Sequence, residues 1–303
     1  MRASALIVRA ISCVAIALVL PSCSDSSSGP RGNLPVLTNS IVLISNRTGA
    51  DQVYAMDADG NNFRQLTDTA GQKFDVAVSP DGRSVAFALL PNAYEVNTDL
   101  YSVNSDGTGL KRLTHDHALD REPSFSHDGS TISFSRSAGD STSIYRIHSS
   151  GDGLADIIHH HGNDWHSVYR PGSTSILFVS DRDQLGGINS EIYSAEAGGL
   201  SIHPLVEGFD PAWSPSGSKF LFKRDGQIWI SDTPDGSSVR KLTSFLSSFY
   251  TPSWSPDEQK IIFTSSAGPY AAIYWVDVTD GSVPHQLTSG DYGDCWSATY
   301  TLH

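Results

Sequence analysis

A phrase that returns every forty-odd residues decides what this chain can fold into. PAWSPSGSKFLF at residues 211–222 is echoed by VAVSPDGRSVAF at 76–87, PSFSHDGSTISF at 123–134 and PSWSPDEQKIIF at 252–263. The turn glycines Gly82, Gly129, Gly172 and Gly217 stand 47, 43 and 45 residues apart, and Glu258 takes the same place 41 residues later. Such a period marks one supersecondary unit that cannot bury its apolar face alone and stacks against copies of itself. A second marker, an aliphatic residue followed by Tyr or Trp, occurs six times: Val53-Tyr54, Leu100-Tyr101, Ile144-Tyr145, Ile192-Tyr193, Ile228-Trp229 and Ile273-Tyr274.

Each copy reads as four short strands, because apolar residues alternate over four to seven positions between turn residues. In the copy that starts at Pro211, strand a is PAWS, b is KFLF, c is QIWIS and d is VRKLT. Pro215 sets φ for the first turn position between a and b, and Gly217 supplies the positive φ that closes the hairpin. Asp-Gly pairs at 59–60, 106–107, 235–236 and 280–281 turn c into d. DADGNN at 57–62 has the look of a calcium loop, but its glycine comes too early and no bidentate Glu follows, so hairpin chemistry is expected there. Strand a is innermost, where blades crowd at the axis and small and large side chains must alternate. The small place is assigned to Ala77, Ser124, Ala212, Ser253 and Cys295, and the large place to Val78, Phe125, Trp213, Trp254 and Trp296. Cys295 is thus a core residue, with no neighbouring base or cation to activate its thiol.

The repeats open at strand b, Ile41 to Ser45, and end with an orphan strand a, Asp294 to Ala298. One blade must be assembled from both ends. The expected fold is all-β: a six-bladed β-propeller of four-stranded antiparallel blades over residues 41–303, its ring closed by the C-terminal strand pairing with the N-terminal blade.

The succession P-x-W-S-P-D-G, apolar strand, I-Y, D-G, L-T resembles the repeat of the TolB-type, WD-like β-propellers of bacterial envelopes, from residue 41 to about 300. The third copy departs most, with HSVYRPGS at 166–173 in place of the consensus and no Leu-Thr in strand d. The resemblance implies an envelope protein or peptide as partner. It does not carry over the N-terminal domain of TolB, since 17 residues separate Cys23 from Ile41.

Arg2 and Arg9 frame a basic start, and the apolar run from Ala10 to Leu20 is too short to span ~30 Å of hydrocarbon. Residues 1–22 are read as a lipoprotein signal peptide, because Leu20-Pro21-Ser22-Cys23 resembles a bacterial lipobox with Cys23 as the acylated residue. Residues 23–40 are a flexible tether, Ser/Gly/Pro-rich at first. Membrane contact is expected through that lipid only, and Ser24 after the cysteine resembles the outer-membrane sorting pattern, facing the periplasm or the cell surface. Loss of residues 1–22 takes away two arginines and moves the formal charge from −13 to −15, a balance that repels phosphate backbones and argues against nucleic acid. With Cys13 removed and Cys23 acylated, Cys295 has no partner for an intrachain disulfide. A monomer is expected.

Candidate chemistry lies in the loops from d to the next a, which share a face with the b–c loops. THDHALDRE at 114–122 and HHHGNDWH at 159–166 place His and Asp on consecutive blades. A divalent-metal site from His115 or His117 with His161, Asp164 or His166 is one expectation, because imidazole and carboxylate suit zinc, manganese or iron. Asp75, Glu122, Asp164, Asp210 and Asp294 fall near the starts of strands a and are assigned to the channel mouth, where one sign of charge would attract a cation or a basic partner. The bland alternative pairs each with an arginine such as Arg47, Arg136 or Arg182. Trp165, Phe209, Phe249, Tyr250 and Tyr292 are the face aromatics assigned to partner contact, with Tyr94, Phe245 and Tyr270 on the same face. No nucleophile elbow, P-loop or dinucleotide fingerprint is present. The expected function is a lipid-anchored binding scaffold without catalytic residues. The alternative is a metal-dependent lyase or hydrolase on oligosaccharides, since oligogalacturonate lyases use a related propeller, although their seven blades and ligand spacing are not matched.

Overall fold

The computed structural model describes residues 34–301 apart from 93, 96, 159–161, 184–189, 197, 245–248, 267 and 282. Cys23, the signal segment and the tether up to Asn33 lie outside the described residues, as do His161 and Phe245, and of Phe249 and Tyr250 only the strand backbone is described. Among the described residues no helix is long and apolar enough to cross a membrane.

The described residues form six four-stranded antiparallel sheets, one per blade. Strand a is Cys295–Tyr300 in blade 1, Gln72–Val78 in blade 2, Leu119–Phe125 in blade 3, Asp164–Tyr169 in blade 4, Phe209–Trp213 in blade 5 and Phe249–Trp254 in blade 6. Each of these touches the next, and blade 6 returns to blade 1, so the innermost strands close a ring. Blade 1 is the composite expected: Cys295–Tyr300 pairs with Ser40–Ser45, matching Val42 to Thr299 and Ser45 to Cys295. Its two ends are laced by Thr301 N–H to the Ser40 carbonyl at 2.9 Å and by Ser40 N–H to Thr301 Oγ1 at 3.1 Å.

The repeated residues each have a local task. The b strands are almost wholly buried, and the aromatic of each I-Y pair lies opposite the b-strand aromatic where one exists. Phe178 and Tyr193 have ring centroids 5.7 Å apart, Phe263 and Tyr274 6.0 Å. Deleting one such buried phenyl ring costs ~3–5 kcal/mol. The threonine of Leu-Thr folds back on strand c: Thr67, Thr114, Thr243 and Thr288 accept the N–H of Val53, Leu100, Ile228 and Ile273 at 2.9–3.0 Å. The a–b turn is an Asx device, in which Asp81 Oδ1 accepts from Ser79 Oγ and Arg83 N–H while Gly82 sits at φ 65°. Glu258 takes that left-handed place at φ 58°. In the c–d turns Asp59, Asp106 and Asp235 accept backbone N–H groups two residues on, which is hairpin chemistry.

The register of the closing strand corrects one expectation. Cys295 and Trp296 do not take the small and large places. Tyr300 N–H donates to Ser253 Oγ at 3.2 Å, as Tyr169 N–H does to Ser124 Oγ at 3.3 Å, so Thr299 and Tyr300 are the counterparts of the small-large pair. The Cys-Trp dipeptide mimics the Ala-Trp of residues 212–213 but stands four residues earlier in the repeat than the true pair. Cys295 is nevertheless fully buried, and burial raises its thiol pKa.

Candidate binding site

Every innermost strand carries a β-bulge at the same place. One residue there has a left-handed backbone: Asp75 (φ 48°), Glu122 (57°), His166 (50°), Asp210 (52°), Thr251 (48°) and Ser297 (50°). Each lies within the register shift of its strand, and together they line a central cavity of about 220 Å³. Left-handed non-glycine residues cost ~1–2 kcal/mol each, so six in register must be held by their surroundings. They are.

From blade 2 to blade 5 the holding is electrostatic. Asp75 Oδ2 accepts from Arg121 Nε at 2.6 Å and from Glu122 N–H at 3.2 Å. Glu122 Oε2 in turn accepts from Ser135 Oγ at 2.6 Å and His166 N–H at 2.8 Å. His166 Nδ1 lies 3.2 Å from Asp210 Oδ1, and Lys223 Nζ stands 3.0 Å from Asp210 Oδ2. Burial disfavours the imidazolium, but the Asp210 hydrogen bond and the charges of Glu122, Asp210 and Asp75 outweigh it and raise the His166 pKa to about 9. Burial likewise opposes the charged Asp210, and the hydrogen bond and charge of His166 with Lys223 nonetheless hold its carboxyl well below the usual range. His166 and Asp210 are thus both charged at pH 7, and blades 2 to 5 are tied one to the next.

The sequence expectation for the mouth changes accordingly. Asp75, Glu122 and Asp210 hold ring positions, but Asp164 does not. It lies two residues earlier in its strand, fully buried, with Oδ1 2.7 Å from Arg182 Nη2, the bland arginine pairing foreseen for it. Asp120 repeats that arrangement one blade earlier, held by Arg136 through two 2.7 Å bonds. Asp294 precedes its strand and lies at the outer mouth, accepting from Ala271 N–H at 2.9 Å and Asn46 Nδ2 at 3.1 Å. His166 belongs to the ring, a role that sequence reasoning missed. The available signal was a count: ring residues stand four before the first residue of the a–b turn, as Asp75 to Ser79, His166 to Arg170 and Asp210 to Ser214.

His115 and His117 are exposed, and His117 Nδ1 lies 3.2 Å from Asn97 Nδ2. Among the described residues no group of three His, Cys, Asp or Glu side chains is gathered to hold a metal ion, and His161 lies outside them. Trp165 and Phe209 pack half-buried against the blade 4–5 core. Tyr292 stacks on Phe63 at 4.3 Å with the Arg47 guanidinium 5.0 Å from its ring. Tyr94 and Tyr270 are exposed.

Above the ring, on the d–a and b–c side, a second cavity of about 590 Å³ opens among blades 6, 1 and 2. Asp51, Asp75, Asp294 and Trp296 line it with Thr251, Thr264 and Ser297, and Arg121 joins them from blade 3. Asp75, Thr251 and Ser297 are shared with the central cavity, so this is the channel mouth.

No protein-family model matches the chain. The TolB homologue of Chlorobium luteolum is 27% identical over 151 residues, covering 37% of this chain and 35% of that protein. The chain spans about a third of the length of the TolB homologues it matches. Dipeptidyl-peptidase 5 of Porphyromonas gingivalis is 31% identical over 245 residues, covering 76% of this chain and 36% of that protein. Among solved structures, TolB from Acinetobacter baumannii superposes with a TM-score of 0.71 at 20% identity, over 89% of this chain and 68% of that one.

Proposed function

We propose that this TolB-type six-bladed propeller is a binding scaffold of the bacterial envelope, anchored by lipid at Cys23, that receives a protein or peptide at its channel mouth. The observation that carries the reading is the mouth cavity itself. It is roomy, it lies on the face formed by the d–a and b–c loops, and it carries the carboxylates of Asp51 and Asp294 beside a ring whose charged side chains are bonded to one another. The TolB likeness supports an envelope setting and a protein partner, and the lipobox resemblance supports the anchor. The ring carboxylates are committed to neighbouring N–H and cationic groups, which favours recognition over acid–base chemistry at those residues.

A photo-reactive residue placed at Tyr270, in the b–c loop of blade 6, should give a discrete cross-linked partner in cells. The same residue at Leu154, exposed in a c–d turn on the opposite face, should give none. Adducts from Leu154 alone, or from neither position, would contradict this docking face. A mass that lacks acylation at Cys23 would remove the anchor and leave the docking face standing.

A further inference from the structure

The mouth cavity has a chemical bias. Its lining carries three carboxylates, Asp51, Asp75 and Asp294, against one cation, Arg121. That cation is engaged: its Nε donates to Asp75 at 2.6 Å and its guanidinium lies 4.0 Å from the centre of the Phe74 ring. Lys73 stands behind the wall, fully buried, with Nζ donating to the carbonyls of Thr69 at 2.7 Å and Gly71 at 3.4 Å. The lining side chains alone therefore carry a net negative charge, which Lys73 offsets in part through its charge on Asp51.

A second observation is independent of the charges. Thr264 is 2% exposed and its Oγ1, in the cavity wall, has no hydrogen-bond partner. The buried Oγ1 of Thr251, at the edge shared with the channel, has none either. A buried hydroxyl left unpaired costs ~1–3 kcal/mol, and a ligand group that pairs it recovers that energy. The carboxylates of Asp51 and Asp294 also have capacity, since each oxygen offers two lone pairs and the internal donors do not fill them. Among the charged side chains of the lining, carboxylates outnumber cations three to one.

We infer that the mouth cavity among blades 6, 1 and 2 receives a lysine or arginine side chain of the partner, its cation between Asp51 and Asp294 and its stem along Trp296. An ammonium offers three donors and a guanidinium five, with no acceptor to leave unpaired against these oxygens. The apolar stem of either side chain suits an aromatic wall. An anionic ligand is disfavoured by the lining. Burial raises the Asp51 pKa, the backbone N–H and the charge of Lys73 oppose that rise, and the charge of Asp294 adds to it. This inference rests on the docking face proposed above and specifies its chemistry.

Binding is testable on the full chain with labelled threonine methyl groups, read by NMR. Acetyl-Gly-Arg-Gly-amide should shift the Thr251 and Thr264 methyl signals saturably. The citrulline analogue, which keeps the shape and loses the charge, should bind at least tenfold more weakly. Asp51→Asn should weaken the arginine peptide about tenfold, and Thr264→Val several-fold without lowering Tm. Equal binding of the citrulline peptide would overturn the inference, as would cellobiose shifting these methyls where the arginine peptide does not. If Tyr270 cross-links a partner while the arginine peptide fails, the inference falls alone. If the peptide binds and Tyr270 captures nothing, the docking face falls instead.

Discussion

The two halves of the channel wall use the same bulge differently. From blade 2 to blade 5 the left-handed residue is Asp75, Glu122, His166 or Asp210, and each is bonded to its neighbour. In blades 6 and 1 it is Thr251 or Ser297. Ser297 accepts the Val76 N–H of blade 2 at 3.0 Å, whereas Thr251 Oγ1 has no partner. Burying a charge is tolerable only when it is paired, so the charged half is closed by necessity. The neutral half can leave a hydroxyl open at a smaller cost. The charged residues thus bond each blade to the next from blade 2 to blade 5, while the neutral half leaves one buried hydroxyl unpaired beside the mouth cavity.

The largest way to break the comparison is to remove the seam of the neutral half. A chain ending at Gly293 loses the innermost strand of blade 1, exposing strand b and the cluster of Ile41 and Leu43. It should fail to fold cooperatively, as read by circular dichroism on heating, and an unchanged Tm refutes the arrangement. On the charged side, Arg136→Met leaves buried Asp120 unpaired and should lower unfolding free energy by ~3–5 kcal/mol in a denaturant titration.

His166 sharpens the contrast through pH. Its pKa rises from 6.5 to about 9 on folding, so its contribution is fully present below pH 6.5 and is lost as pH climbs through 9. The full loss is on the order of 3 kcal/mol, about half of it between pH 6.5 and 8. Lys73 works the other way above pH 8, because burial lowers its amine to about 8. The clean window is therefore 6.5 to 8, where wild type should lose stability and His166→Gln should stay flat. The smallest effect belongs to the neutral half: Thr251→Asn places a residue tolerant of left-handed backbone there and should shift stability by under ~0.5 kcal/mol.

Much of the fold was legible because repetition reports it six times over. Strand order, the Glu258 turn and the closure of the ring all follow from spacing and from which strand is missing at each end. The site was legible only in part. Asp75, Glu122 and Asp210 were found because carboxylates stand out, but Asp164 was grouped with them, although its side chain faces Arg182 within the blade. A bulge inserts one residue into the alternation and reverses which side chains face the axis beyond it, so reading by period two fails there. His166 was hidden by the run of histidines before it, which drew attention to metal chemistry instead of to its place four residues ahead of Arg170. The closing strand was shifted for a different reason, since its Cys-Trp dipeptide mimics Ala-Trp four residues too early.

Ring closure supports every surface described, and amide hydrogen exchange tests it without altering the chain. If the C-terminal strand is an integral part of blade 1, amides of residues 295–300 should exchange as slowly as those of residues 41–45, through the same opening event. Exchange of 295–300 orders of magnitude faster than 41–45 would show a strand merely resting against the ring, and would contradict the account.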